Sequence, residues 1–285
     1  MLRSSAVDGF SLAYERHGSG APVLLLHGWP GDHGDWREVV TRLEGQADVV
    51  VPDLRGFGES DKHVRDPAQA YSAVGQAASV VSLLGELELG PAVIAGYDVG
   101  SRVAQQIARS DPELVRALVL APPLPGAGDR VISADAQREF WYQHFHRLDL
   151  IEKVIDGRAP AVRAYLGHFW SHWSGPAFTP SAAELDRLTA LYGAPGAFVA
   201  SIGWYRAGAG TIARSLAERA PATDERIATP TAVLWPEHDP LFPLQWADRL
   251  DEFFSAVTLR RLPDAGHFSP LEASQPFAEA IREAL

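Results

Sequence analysis

Asp98 stands at the centre of Val-Ile-Ala-Gly-Tyr-Asp-Val-Gly, residues 93 to 100, where an apolar run meets a Gly-x-Asp-x-Gly turn. Gly96 and Gly100 allow close backbone approach, so the spacing predicts a tight strand-to-helix elbow that pushes the Asp98 side chain forward. A carboxylate so placed can attack carbon. A serine that opened an epoxide or displaced a halide would leave an unreactive ether, whereas Asp98 would leave an ester that water can cleave at its carbonyl. Cleaving that ester requires a base and a group that orients the base. Asp239, in Thr-Ala-Val-Leu-Trp-Pro-Glu-His-Asp-Pro, and His267, in Leu-Pro-Asp-Ala-Gly-His-Phe-Ser-Pro, follow strand-like runs and supply an acid and a histidine in that chain order. Glu237, just before Asp239, competes for the role of the acid.

His27-Gly28-Trp29-Pro30 follows the apolar run Pro22 to Leu26. Such a strand-loop junction supplies one donor of an oxyanion hole, and the amides of Trp29 and Val99 are assigned to it. Pro30 has no amide hydrogen and fixes the local geometry of the pocket wall, and an aromatic residue before proline suits a cis bond. His27 is read as a structural loop histidine, because the triad already contains a base.

Four motifs together resemble the epoxide hydrolase branch of the α/β-hydrolase superfamily, the soluble epoxide hydrolases among them. They are His-Gly-Trp-Pro at 27 to 30, Asp-Leu-Arg-Gly-Phe-Gly-Glu-Ser at 53 to 60, the aspartate elbow at 96 to 100 and Gly-His-Phe at 266 to 268. The resemblance spans nearly the whole chain and implies Asp98, Asp239 and His267 as the triad. It also implies two tyrosines on a helical cap that hold the epoxide oxygen. Phe-Trp-Tyr-Gln at 140 to 143 and Gly-Trp-Tyr-Arg at 203 to 206 place these at Tyr142 and Tyr205. Trp141, His144 and Trp204 are assigned to the substrate pocket beside them. His144 and His146 share the first tyrosine's helix and leave open a histidine in place of Tyr142. A phenol suits the task, since it can give a hydrogen bond or proton to an oxygen becoming an alkoxide. The implied reaction converts an apolar epoxide and water to a vicinal diol through an ester on Asp98, with no metal and no cofactor.

Haloalkane and haloacid dehalogenases run similar chemistry from the same aspartate and form the alternative. Haloalkane dehalogenases typically carry Trp after the nucleophile, and fluoroacetate dehalogenases carry Arg there; here Val99 takes that place. Arg102, which fluoroacetate dehalogenases share, is read as structural. A non-catalytic ligand-binding protein on the same fold is the third reading, opposed by the complete triad.

The elements that position these residues follow from periodicity. Residues 5 to 16 suggest an edge hairpin around Asp8-Gly9. Val23 to Leu26, Val49 to Val51, Val93 to Ala95 and Ala117 to Leu120 are short apolar strands separated by helical segments. That alternation predicts an α/β fold with a mostly parallel central sheet and helices on both faces. From Gly128 to about Arg214 the pattern is helical and aromatic; a strand then returns at Thr231 to Trp235 and another at Val257 to Leu262. The expected organisation is a hydrolase core at 1–125 and 213–285 with a helical cap at 126–212.

Composition excludes several classes. The chain of 285 residues has no cysteine, which removes disulfides, thiol nucleophiles and Cys-based metal sites. Its net charge of −11 disfavours nucleic acid and anionic membranes as partners. No apolar stretch reaches the ~20 residues of a membrane span, and no signal-like run opens the chain. A cytoplasmic enzyme, monomer or homodimer, is the expectation.

Overall fold

The computed structural model describes residues 1–285. Its strands are β1 Leu2–Arg3, β2 Ala13–Gly18, β3 Ala21–Leu26, β4 Ala47–Pro52, β5 Ala92–Gly96, β6 Val115–Leu120, β7 Thr231–Pro236 and β8 Val257–Leu262. They form one eight-stranded sheet ordered β1-β2-β4-β3-β5-β6-β7-β8. Only the β1-β2 and β2-β4 pairs are antiparallel; from β4 to β8 every pair is parallel. The edge turn falls where Asp8-Gly9 predicts it, with φ of 53° and 81° at the two residues, the left-handed pair that suits a tight hairpin.

Residues 23–26, 93–96 and 118–120 are all buried, which is why these strands read as unbroken apolar runs rather than alternating ones: helices cover both sheet faces. Most of these strands extend one or two residues beyond their apolar cores. Ala47 and Asp48, for example, pair with Ala21 and Pro22 through backbone, which side-chain pattern does not reveal.

Between β6 and β7 the chain inserts a run of helices, including Ala134–His146, Ala159–His172, Ala182–Tyr192, Gly203–Arg206 and Thr211–Ala217. Ser133 and Ser181 cap the first and third of these by accepting from Ala136 N and Glu184 N, satisfying amides that have no intrahelical partner. Helix Ala134–His146 buries Phe140, Tyr142, Gln143 and His146. That face lies over the carboxyl ends of β3 and β5, where open α/β sheets place their sites. The insertion is bound to the core by several contacts. Arg187 grips the buried Asp32 (Nη2 to Oδ1, 2.9 Å), and the Tyr192 hydroxyl donates to Gly31 O at 2.7 Å.

Candidate active site

Asp98 sits between β5 and the helix Val99–Ser110 with φ 48° and ψ −121°, a conformation that non-glycine residues seldom adopt. The elbow leaves no room for side chains around it. A Cβ on Gly100 would lie 2.1 Å from Leu26 O, and one on Gly28 would lie 2.4 Å from Asp98 Cβ. The strain is held by the Asp98 amide donating to Pro122 O at 2.9 Å. Asp98 Oδ1 accepts from the Trp29 amide at 2.7 Å. Trp29-Pro30 is cis, as the sequence suggests. The Val99 amide opens the elbow helix, where N–H groups have no intrahelical acceptor.

His267 lies between two carboxylates. Its Nδ1 is 2.8 Å from Asp239 Oδ2 and its Nε2 is 3.6 Å from Asp98 Oδ2. Asp239 is fixed in turn by the Leu241 amide, which donates to Oδ1 at 2.9 Å. Burial disfavours the imidazolium, yet Asp239 and Asp98 outweigh it, and the His267 pKa is pushed up to about 10. Glu237 is not positioned to compete, since it pairs with Arg261 at the surface.

Tyr142 and Tyr205 come together from two helices of the insertion, ring centroids 5.6 Å apart. Each meets Trp29, at 5.8 Å and 6.0 Å. Both are buried, and desolvation together with the nearby Asp98 charge pushes each phenol well above its usual range, so both stay protonated. Two other assignments change. Trp141 is 41% exposed and packs on Phe145, Tyr165 and Phe169 rather than on Trp29. His144 is exposed as well. One helical turn beyond Tyr142 is position 146, so the buried face carries His146 rather than either of these. Trp204 is buried but belongs to none of the ring contacts around Trp29.

Two residues escape the sequence reading, Gln143 and Glu272, and His146, which that reading leaves open, joins the ring cluster. Gln143 donates to Tyr142 Oη at 3.2 Å and accepts from Ile212 N at 3.2 Å, tying the phenol to the helix Thr211–Ala217. His146 lies 4.7 Å from Tyr205 and 4.9 Å from Trp29, centroid to centroid. Glu272 accepts from the amides of Gly266, Phe268 and Gly175, clamping the histidine loop to the insertion. His146 is legible from its place on the first tyrosine's helix, whereas Gln143 and Glu272 depend on which faces pack.

His27 and Arg102 are structural. His27 accepts from Leu54 N at 3.0 Å through Nε2 and lies 2.9 Å from Gly28 O through Nδ1, the pattern of a neutral ring bracing the loop. Arg102 is buried against Leu124 O and Glu218, away from the triad. Asp32, His33 and Asp53 place their ligand atoms within 4.8 Å of one another, but Arg187 holds Asp32 and His33 holds Asp53, so the cluster is a network of ion pairs.

Residues 21–274 match the family model described as alpha/beta hydrolase fold, and the chain belongs to that family. Sheet order, elbow and triad order are those of a hydrolase on this fold. Among its relatives is a soluble epoxide hydrolase of Corynebacterium sp. (strain C12), 29% identical over 278 residues, which are 94% of this chain and 91% of that one. A fluoroacetate dehalogenase of Burkholderia sp. is 30% identical over 203 residues, 68% of this chain and 64% of that one. The solved structure of an epoxide hydrolase without ligand superposes with a TM-score of 0.83 at 24% identity, covering 99% and 97% of the two chains, a likeness of fold. No helix is long and apolar enough to cross a membrane.

Proposed function

We propose that this hydrolase opens epoxides to vicinal diols, with the helical insertion acting as a cap over the triad. The observation that carries the reading is a carboxylate nucleophile facing two buried, protonated phenols. Asp98 attacks one ring carbon from behind while Tyr142 and Tyr205 hold the oxygen that leaves it. The proton count closes on His267. In the resting site it is an imidazolium between two carboxylates; alkylation of Asp98 removes one negative charge and the new alkoxide takes a proton, delivered through a phenol and replaced from His267. The imidazole is then neutral when water arrives. His267, oriented by Asp239, deprotonates that water, which attacks the ester carbonyl. The oxyanion is held by the Trp29 and Val99 amides, and collapse releases the diol and restores both Asp98 and the imidazolium.

A dehalogenase using the same Asp98 is the alternative, but Val99 supplies neither the second halide donor nor a cation for a substrate carboxylate. The test is the variant His267→Gln with a generic aryl epoxide. Attack by Asp98 slows, since no imidazolium replaces the proton the phenol gives up, but it still occurs, whereas hydrolysis stops, so intact-mass analysis shows an adduct of epoxide mass accumulating on Asp98 while diol release ceases. Normal turnover by that variant removes His267 from the mechanism; absence of diol and of adduct with the unaltered protein overturns the reading as a whole.

A further inference from the structure

Two polar atoms in the ring cluster beside Asp98 have no hydrogen-bond partner although their residues are fully buried: Nε1 of Trp29 and Nδ1 of His146. Their rings meet edge to face, centroids 4.9 Å apart. Trp29 stacks on Tyr142 with 7° between the planes, and His146 meets Tyr142 at 5.4 Å and Tyr205 at 4.7 Å. Both orphaned groups therefore flank the phenol pair. Buried polar groups are nearly always paired in native interiors, and those that are not mark places where a ligand or water completes the pairing.

The atoms define what that partner is. An indole N–H can only donate. His146 is kept neutral, since burial and the nearby Arg206 hold its pKa well below the usual range. Its Nε2 lies 3.0 Å from the Tyr165 hydroxyl, which has no other partner. The assignment that satisfies both has Tyr165 donating to Nε2, leaving the single ring proton on Nδ1. The ring cluster thus holds two free N–H donors beside the two phenols. Neither is charged, and the Asp98 carboxylate shares the site, so a neutral acceptor fits better than an anion.

We propose that Trp29 Nε1 and His146 Nδ1 bind an acceptor oxygen of the substrate next to its epoxide, so that the preferred substrates are epoxides with an ether or carbonyl oxygen close to the ring rather than plain hydrocarbon epoxides. This rests on the epoxide hydrolase reading and adds a specificity subsite to it. The test compares glycidyl methyl ether with 1,2-epoxypentane, which differ by an ether oxygen in place of a methylene. In the unaltered protein kcat/KM favours the ether at least about tenfold, the size expected from hydrogen bonds to a buried donor pair. In His146→Phe the preference falls toward parity, through loss on the ether rather than on the alkyl epoxide. Equal turnover of the two substrates by the unaltered protein overturns the subsite alone, as does a preference that persists in His146→Phe, the result if the donors hold only water. Turnover of neither substrate overturns the underlying reading and the subsite with it. Should His146→Phe fail to fold, the comparison in the unaltered protein still decides.

Discussion

A histidine held between two carboxylates is a poor base until one of them loses its charge. That is the condition of His267, whose pKa near 10 depends on Asp98 as well as Asp239. Asp98→Asn, which mimics the uncharged ester, lowers the His267 pKa, and a ring-proton NMR titration that left it near 10 would show that Asp98 does not gate the base. The phenols are tested separately. Removing one donor to a developing oxyanion typically costs roughly 10²–10³ in rate. Tyr142→Phe and Tyr205→Phe are each expected to slow single-turnover alkylation by about that factor while keeping the ring contacts with Trp29, and the double variant is expected to be nearly inactive. An unchanged alkylation rate in either single variant removes that phenol from ring opening. At this scale the sequence reveals the residues whose role is local. Asp98, Trp29 and His267 lie in short motifs with their own turn chemistry, and Asp239 follows its strand directly. Proximity along a helix does not give a shared face: the helix turns about 100° per residue, so Trp141 and His144 face out while His146, one turn beyond Tyr142, faces in. Gln143 and Glu272 have no local signature, since the contacts that tie them to other segments span 69 and 97 positions.

Glycines at the elbow show how an element can fix a site without taking part in its chemistry. The Gly100 position abuts backbone on one side: a Cβ there would meet Leu26 O at 2.1 Å, Leu26 C at 2.4 Å and His27 O at 2.7 Å. No rotamer relieves a clash with backbone, so Gly100→Ala must pull β3 from the elbow helix. It is expected to destabilise the fold by about 3 kcal/mol or more, at the upper end of overpacking costs. Gly85 makes the opposite case. It is exposed within the helix Ala73–Glu86, and a Cβ there meets nothing within 4 Å. Gly85→Ala is expected to stabilise by roughly 0.5–1 kcal/mol, because a helix-interior glycine loses more backbone entropy on folding than alanine. Denaturant melts of the two variants give shifts of opposite sign; a neutral Gly100→Ala would mean the elbow has slack. Sequence reveals the strands and the aspartate elbow because their apolar runs and glycines are local. It does not reveal which glycine is sterically locked, because that depends on strand β3, some 70 residues earlier in the chain.

Across the whole molecule, charged contacts and the ring cluster join the insertion to the core, and two histidines in these contacts make stability depend on pH. Near the triad, the His267 amide donates to Trp173 O at 2.8 Å and Glu272 spans both segments. Across the sheet edge, His33 is held by Asp53 at 2.9 Å beside the Asp32–Arg187 pair that anchors the insertion. Burial opposes the charge on His33, yet Asp53 raises its pKa to about 9. Both histidines are therefore raised in the folded state above the ~6.5 of an unfolded chain. The stability they contribute is fully present below pH ~6.5 and is lost as pH rises toward about 9 for His33 and about 10 for His267, because between these limits the folded state binds more protons. Each group contributes a slope of up to about 1.4 kcal/mol per pH unit in that window. The buried phenols act in the same direction but only above pH ~10, while the buried Asp35 carboxyl, raised by desolvation, adds to the fall and Lys62, lowered by desolvation, opposes it, so the histidine share is read from the difference between variants. Unfolding free energy is expected to fall between pH 7 and 9, and Asp239→Asn, which removes the strongest contact raising His267, is expected to make the fall shallower while lowering stability at pH 7. If the slope of Asp239→Asn matches that of the unaltered protein, His267 is not carrying its proton between the two carboxylates, and the imidazolium resting state on which the proton count depends is wrong.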